Sequence, residues 1–163
     1  MAHLKNTLDF EIKKVIYFSD GCGAQYKNHK NFSNLCNHEN DFQIPAEWHF
    51  FATSHGKGPY DGIGGTIKRE ASYYSLKQPY SNQILTAKDL FYFAEKYLQN
   101  IKVFYISKNE IKLKVDFLKE RFAKSKTIAG TRSYHSFVPF DGNKLHVRKF
   151  SLSDKRFVKT IAK

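Results

Sequence analysis

The sequence predicts an α/β fold, and three stretches carry that prediction. Lys14-Val-Ile-Tyr-Phe-Ser19 is a short β-branched and aromatic run that ends at the turn signal Asp20-Gly-Cys-Gly23, as a buried strand would. Between Asn28 and His38 the apolar residues Phe32, Leu35 and Cys36 recur at helical spacing, and Glu47-Trp-His-Phe-Phe-Ala52 then reads as a second strand. Strand, helix, strand is the grammar of a layer with parallel strands.

The later elements follow the same logic. After a loop from Thr53 to Tyr60, a helix is expected from about Asp61 to Lys77, with Ile63, Ile67, Ala71 and Tyr74 on one face. Pro79 closes it. Thr86 is the N-cap of the next helix, whose apolar stripe is Leu90, Phe93, Ala94 and Tyr97. Lys102-Val-Phe-Tyr-Ile106 reads as a third strand, and Ser107 caps a basic helix through about Lys124. Ser133 to Phe140 and Leu145 to Phe150 flank the turn cluster Asp141-Gly142-Asn143, which predicts a hairpin. The expected organisation is a core over 1–126 and a small C-terminal β extension with a basic tail over 127–163.

Composition narrows the function classes. A chain of 163 residues, 41% hydrophobic and 16% aromatic, holds enough apolar material for one ordinary core and is not a disordered polypeptide. No apolar run approaches bilayer length and the opening residues have no signal core, so a soluble, intracellular protein without a membrane partner is expected. The two cysteines, Cys22 and Cys36, suit a reducing compartment. Lys and Arg total 27 against 15 acidic residues, a balance of +12 that favours a polyanion. The basic residues are scattered among aromatics instead of forming one amphipathic stripe, which favours nucleic acid over a lipid surface. A protein that is merely basic is the competing reading.

Two constellations could carry chemistry. In the first, Asp20 stands at the carboxyl end of a strand, where open α/β sheets bind ligands; the glycines after it allow close approach, and Gln25, Lys27 and Asn28 supply donors. The plainer alternative is that Asp20 caps its own turn. In the second, Asp61 lies at a helix start within Gly56-Lys-Gly-Pro-Tyr-Asp-Gly-Ile-Gly-Gly65, with Lys68 and Arg69 one to two turns on. Gly62, Gly64 and Gly65 cost about 1 kcal/mol each against Ala in a helix interior, which suggests close packing or ligand approach. Here the alternative is a carboxylate that serves the helix dipole alone. A zinc reading of Cys22, His29, Cys36 and His38 lacks a close Cys pair and is weaker.

Together the blocks SDGCGAQYKN and FFATSHGKGPYDGIGGTIKR resemble the DDE-type transposase and integrase superfamily, and closest to their wording are transposon-derived proteins of animal genomes. The stretch GTRSYHSFVP, Gly130 to Pro139, resembles a segment downstream in such proteins, so the likeness spans roughly residues 14 to 140. It implies a ribonuclease-H-like fold in which three acidic residues hold two Mg2+ or Mn2+ ions about 3.5–4 Å apart. Asp20 would be the second acid and Asp61 the third, both metal ligands and both catalytic in DNA cleavage and strand transfer. His55 would orient a water or a phosphate, or else be a strand-end histidine satisfied by backbone. Gln25, Lys27, Asn28, Lys57, Lys68 and Arg69 would contact DNA, and a nuclear location would follow.

In that fold the first acid lies on an earlier strand, followed by a hairpin and a helix. Only 19 residues precede Asp20, too few for those elements at ordinary lengths. The expectation is therefore a partial ribonuclease-H-like core, a catalytic-core fragment inactive by itself, whose open sheet edge favours self-association. The alternative is a non-catalytic, domesticated nucleic-acid-binding module.

Overall fold

A computed structural model of the chain describes residues 2–51 and 58–162. Helix α1 (Ala2–Thr7) precedes strand β1 (Val15–Ser19), in which Val15, Tyr17 and Ser19 are half-buried while Ile16 and Phe18 are exposed. Helix α2 (His29–Cys36) starts at Asn28, whose side-chain oxygen accepts from the Asn31 amide at 3.1 Å, the ordinary way to satisfy a first-turn donor. Helix α3 (His38–Phe42) follows and stops at Gln43, which takes a left-handed φ of 58°. Strand β2 (Ala46–Phe50) then lies parallel to β1, from Val15 against Ala46 to Ser19 against Phe50. Next come α4 (Pro59–Leu76), α5 (Ala87–Tyr97), α6 (Lys108–Phe117) and α7 (Lys119–Lys124).

The expected hairpin is β3 (Ser136–Asp141) and β4 (Lys144–Arg148), turning at Gly142 with a φ of 48° that favours glycine. β3 pairs antiparallel with β2, setting Trp48 against Phe137, so the hairpin continues the sheet that the parallel pair begins. A further strand, β5 (Phe157–Thr160), pairs with β4 in what reads from sequence as a basic tail. The result is a mixed five-stranded sheet in the order β1-β2-β3-β4-β5, in an α/β protein.

The chain divides into two compact units, residues 1–56 with 117–163, and residues 57–116. In the first, α2 lays Phe32 flat on Phe137 of β3, ring centroids 4.3 Å apart, with Phe50 edge-on to both. Leu145, Val147 and Ile161 complete this fully buried centre. Arg121 of α7 holds Asp41 of α3 through paired contacts of 2.7 and 2.8 Å. In the second unit, Tyr74 of α4 packs on Phe93 and Tyr97 of α5 at 5.0 and 5.1 Å. Thr86 caps α5 as expected, accepting from the Asp89 amide at 3.2 Å while Asp89 accepts from the Thr86 amide at 2.8 Å.

Two expectations are corrected. Lys102 to Ile106 is not a strand: among the described residues of 57–116 no strand exists to pair with it, and Phe104, Tyr105 and Ile106 are exposed. The basic helix from Ser107 is two helices, because Leu118 leaves helical geometry at ψ 1°. Ser107 still caps α6, bonding the Glu110 amide at 3.3 Å. No described helix is long and apolar enough to cross a membrane.

Phe137 is fully buried and stacked, so Phe137→Ala should cost about 3–5 kcal/mol. Urea unfolding of the two proteins measures this; a loss below about 1 kcal/mol would mean the stack does not anchor α2.

Candidate functional site

Asp20 is exposed directly past the carboxyl end of β1, and the parallel register sets that end beside the end of β2. The Phe51 amide donates to the Ser19 carbonyl at 3.0 Å, and the Trp48 indole N–H to Ser19 Oγ at 2.8 Å, so both strand ends are fixed together. Asp20 Oδ1 accepts from the Cys22 amide at 2.9 Å, the turn-capping role that was the alternative reading. The Cys22 carbonyl then accepts from the amides of Gln25, Tyr26 and Lys27, at 3.2, 2.8 and 3.1 Å. This folds the loop back on itself.

The fold-back leaves Gln25 exposed and drives Lys27 inward. Lys27 is only 8% exposed; its Nζ lies 5.2 Å from the Phe50 ring centroid and donates to the Arg132 carbonyl at 3.3 Å. Burial pulls its pKa below the ordinary lysine value. No ion pair to Lys27 is formed among the described residues. The Asn28 amide nitrogen donates to the Gly23 and Gln25 carbonyls, both at 3.3 Å, while its oxygen caps α2. Asn28 is thus occupied by the fold.

Beside this loop lies a cavity of about 480 Å³, closed on its other side by residues 127–132. Gly21, Gly23, Lys27, His29, Thr131 and Arg132 line it. Ser125 Oγ donates to the Phe122 carbonyl at 2.7 Å, so His29 Nδ1 must donate to Ser125 Oγ, also at 2.7 Å. His29, Thr131 and Arg132 were not singled out as partners of this loop from sequence. Arg132 lies within the stretch Gly130 to Pro139, yet 105 residues separate it from Lys27 and no local pattern signals the contact.

In the second unit, Asp61 is exposed in the first turn of α4, where its Oδ2 accepts from the Gly58 amide at 3.1 Å. That is the helix-start role. A Cβ on Gly62, Gly64 or Gly65 would meet nothing within 4 Å among the described residues, so close packing by those residues does not account for these glycines. Gly62, Gly65, Lys68 and Arg69 are exposed, and Arg69 reaches Thr66 and Glu70, each at 3.5 Å. His55 and Lys57 lie outside the described residues.

The four Cys and His residues of the zinc reading have separate surroundings. His38 donates from Nδ1 to the Ile44 carbonyl at 2.7 Å, leaving Nε2 to accept from Tyr17 at 2.9 Å. Burial pushes the Cys36 thiol up to about 12, whereas Cys22 is exposed. Among the described residues no three His, Cys, Asp or Glu side chains gather. A cluster unforeseen from sequence is Glu47, which meets Lys14 at 2.8 Å and His49 Nε2 at 3.3 Å. Burial alone would raise the Glu47 pKa, but the hydrogen bonds from Lys14 and His49 and their charges outweigh it and hold the carboxyl below its ordinary value.

A family model matches residues 1–151, and the chain belongs to that family, described as a Domain of unknown function (DUF8701). No curated protein and no solved structure matches the chain.

Two measurements follow. Cys22 should react with an aromatic disulfide reagent within minutes while Cys36 reacts only on unfolding; equal rates in the native protein would show that Cys36 is not sequestered. Because the folded Glu47 pKa is depressed, its stabilisation is present above 4.5 and lost as pH falls through the folded pKa. The stability gap between wild type and Glu47→Gln should therefore close in acid; a gap constant from neutrality to acid would refute the pairing.

Proposed function

We propose that this protein binds DNA as part of a transposase-like, ribonuclease-H-like core, and that Asp20 and Asp61 each have the metal-ligand role in phosphodiester chemistry that the resemblance gives them. The observation that carries the reading is Asp20 itself. It is exposed at the carboxyl ends of a parallel pair joined through α2 and α3, the place where open α/β sheets hold ligands. The outer edge of β1 is unpaired among the described strands, which is where the resemblance would put the earlier strands.

The donors suit a hard cation. Asp20 Oδ1 and Asp61 Oδ2 each take one backbone hydrogen bond, and a carboxylate has a second oxygen to offer. A divalent ion held at either carboxylate would polarise a phosphoryl oxygen. On α4, Gly62 and Gly65 give bare, exposed positions on the helix that carries Lys68 and Arg69, which a phosphate backbone can approach closely. The excess of cations, +12 over the chain, supplies long-range attraction to DNA.

A second reading, a non-catalytic nucleic-acid-binding module, has one observation in its favour. Both carboxylates already perform local duties, a turn cap and a helix start, that need no metal.

Mn2+ titration of the full chain, followed by paramagnetic broadening of amide resonances, separates the two. Metal chemistry predicts broadening centred on Asp20–Cys22 and Asp61–Gly62, with Asp20→Asn and Asp61→Asn each weakening Mn2+ binding by about tenfold or more. Broadening elsewhere, or affinity indifferent to both changes, leaves only salt-sensitive DNA binding and defeats the metal reading.

A further inference from the structure

We propose that the cavity between the 21–29 loop and the 127–132 loop is a phosphate site, filled by one phosphodiester of a nucleic-acid strand running past Asp20. The strand rests on the DNA reading above; the phosphate does not.

The lining carries Lys27, His29 and Arg132 and no carboxylate. Lys27 decides the matter. A cation removed from water is expensive unless an opposite charge and enough hydrogen bonds replace the solvent. Lys27 is 8% exposed, yet its only hydrogen bond among the described residues goes to the Arg132 carbonyl, at a long 3.3 Å. The Phe50 ring face offers a weak second contact. An ammonium has three donors, so an anion in the cavity would supply what the fold withholds. The neighbouring carboxylate, Asp20, is turned to the Cys22 amide.

The surroundings fit a phosphate. A Cβ at Gly21 would stand 4.0 Å from Lys27 Nζ, so bare backbone lies directly beside the ammonium. α2, eight residues long, begins at Asn28 on the same rim and adds the positive end of its dipole. The opposite wall is held in shape: Gly130 takes a left-handed φ of 73°, Thr131 Oγ1 donates to the Ile128 carbonyl, and Ser133 Oγ donates to the Gly130 carbonyl at 2.9 Å. At about 480 Å³ the space exceeds a carboxylate and accommodates a phosphate with its sugar.

The test uses the full chain in EDTA, so that no divalent ion contributes. Anisotropy of a labelled single-stranded oligonucleotide is measured against salt, and inorganic phosphate is added as competitor. Lys27→Met should weaken oligonucleotide binding by about tenfold or more, the worth of a charged hydrogen bond. It should also lower the log–log salt slope by about one. Its melting temperature should not fall, because the change removes a mostly buried charge that has no ion pair among the described residues. Arg132→Met, at an exposed position, should weaken binding without disturbing the fold. If both variants bind oligonucleotide and phosphate as wild type does, or if Lys27→Met melts lower while Arg132→Met binds normally, Lys27 is a structural cation and the proposal fails. If inorganic phosphate binds through Lys27 but the oligonucleotide does not, the phosphate site stands and its nucleic-acid source is overturned. In EDTA none of these results depends on metal, so the metal reading succeeds or fails separately.

Discussion

The stack of Phe32 on Phe137 is the contact on which the first unit depends. β1 and β2 run parallel, so the chain must cross over between them, and a crossover must be seated on the sheet to hold the register. Phe32 seats it, with Phe50 of β2 and Phe137 of β3 on the other side. One aromatic thus ties the parallel pair to the antiparallel hairpin. With α2 fixed there, only residues 20–28 remain to connect the end of β1 to the start of α2. That shortness folds the loop onto the Cys22 carbonyl and turns Lys27 inward.

Legibility from sequence followed the range of the interactions. β1, α2, β2, α4, α5 and the β3–β4 hairpin were visible because each is written in local periodicity and local caps, such as Thr86 with Asp89 or the turn at Gly142. Lys102 to Ile106 has strand composition but no pairing edge among the described residues of its own unit, and composition cannot reveal a missing neighbour. β5 was missed for the opposite reason. Phe157-Val-Lys-Thr160 is short and partly basic, and becomes a strand because β4 offers it an edge.

The site divides along the same line. Asp20 and Asp61 stood out because glycine-rich turns after apolar runs are local features. The pairing of Lys27 with the 127–132 loop joins segments about a hundred residues apart and was invisible. Lys27 looked like any other donor in its block; its burial comes from a fold-back that only three hydrogen bonds to one carbonyl explain.

Within a chain of net charge +12, Lys27 differs in kind from the cations on the surface. An exposed lysine is already solvated and gains little from one more anion, since water screens the pair. Lys27 has given up part of that solvation and received, among the described residues, one carbonyl and the face of a ring. An anion entering beside it recovers interaction energy that folding has withheld, so the free-energy gain is concentrated at one point of the surface. The carboxylates show the complementary economy. Asp20 and Asp61 each secure their own segment through one oxygen, which fixes the carboxylate in place without exhausting its lone pairs. Local structural duty needs no metal, yet it also supplies the fixed geometry that a ligand would require.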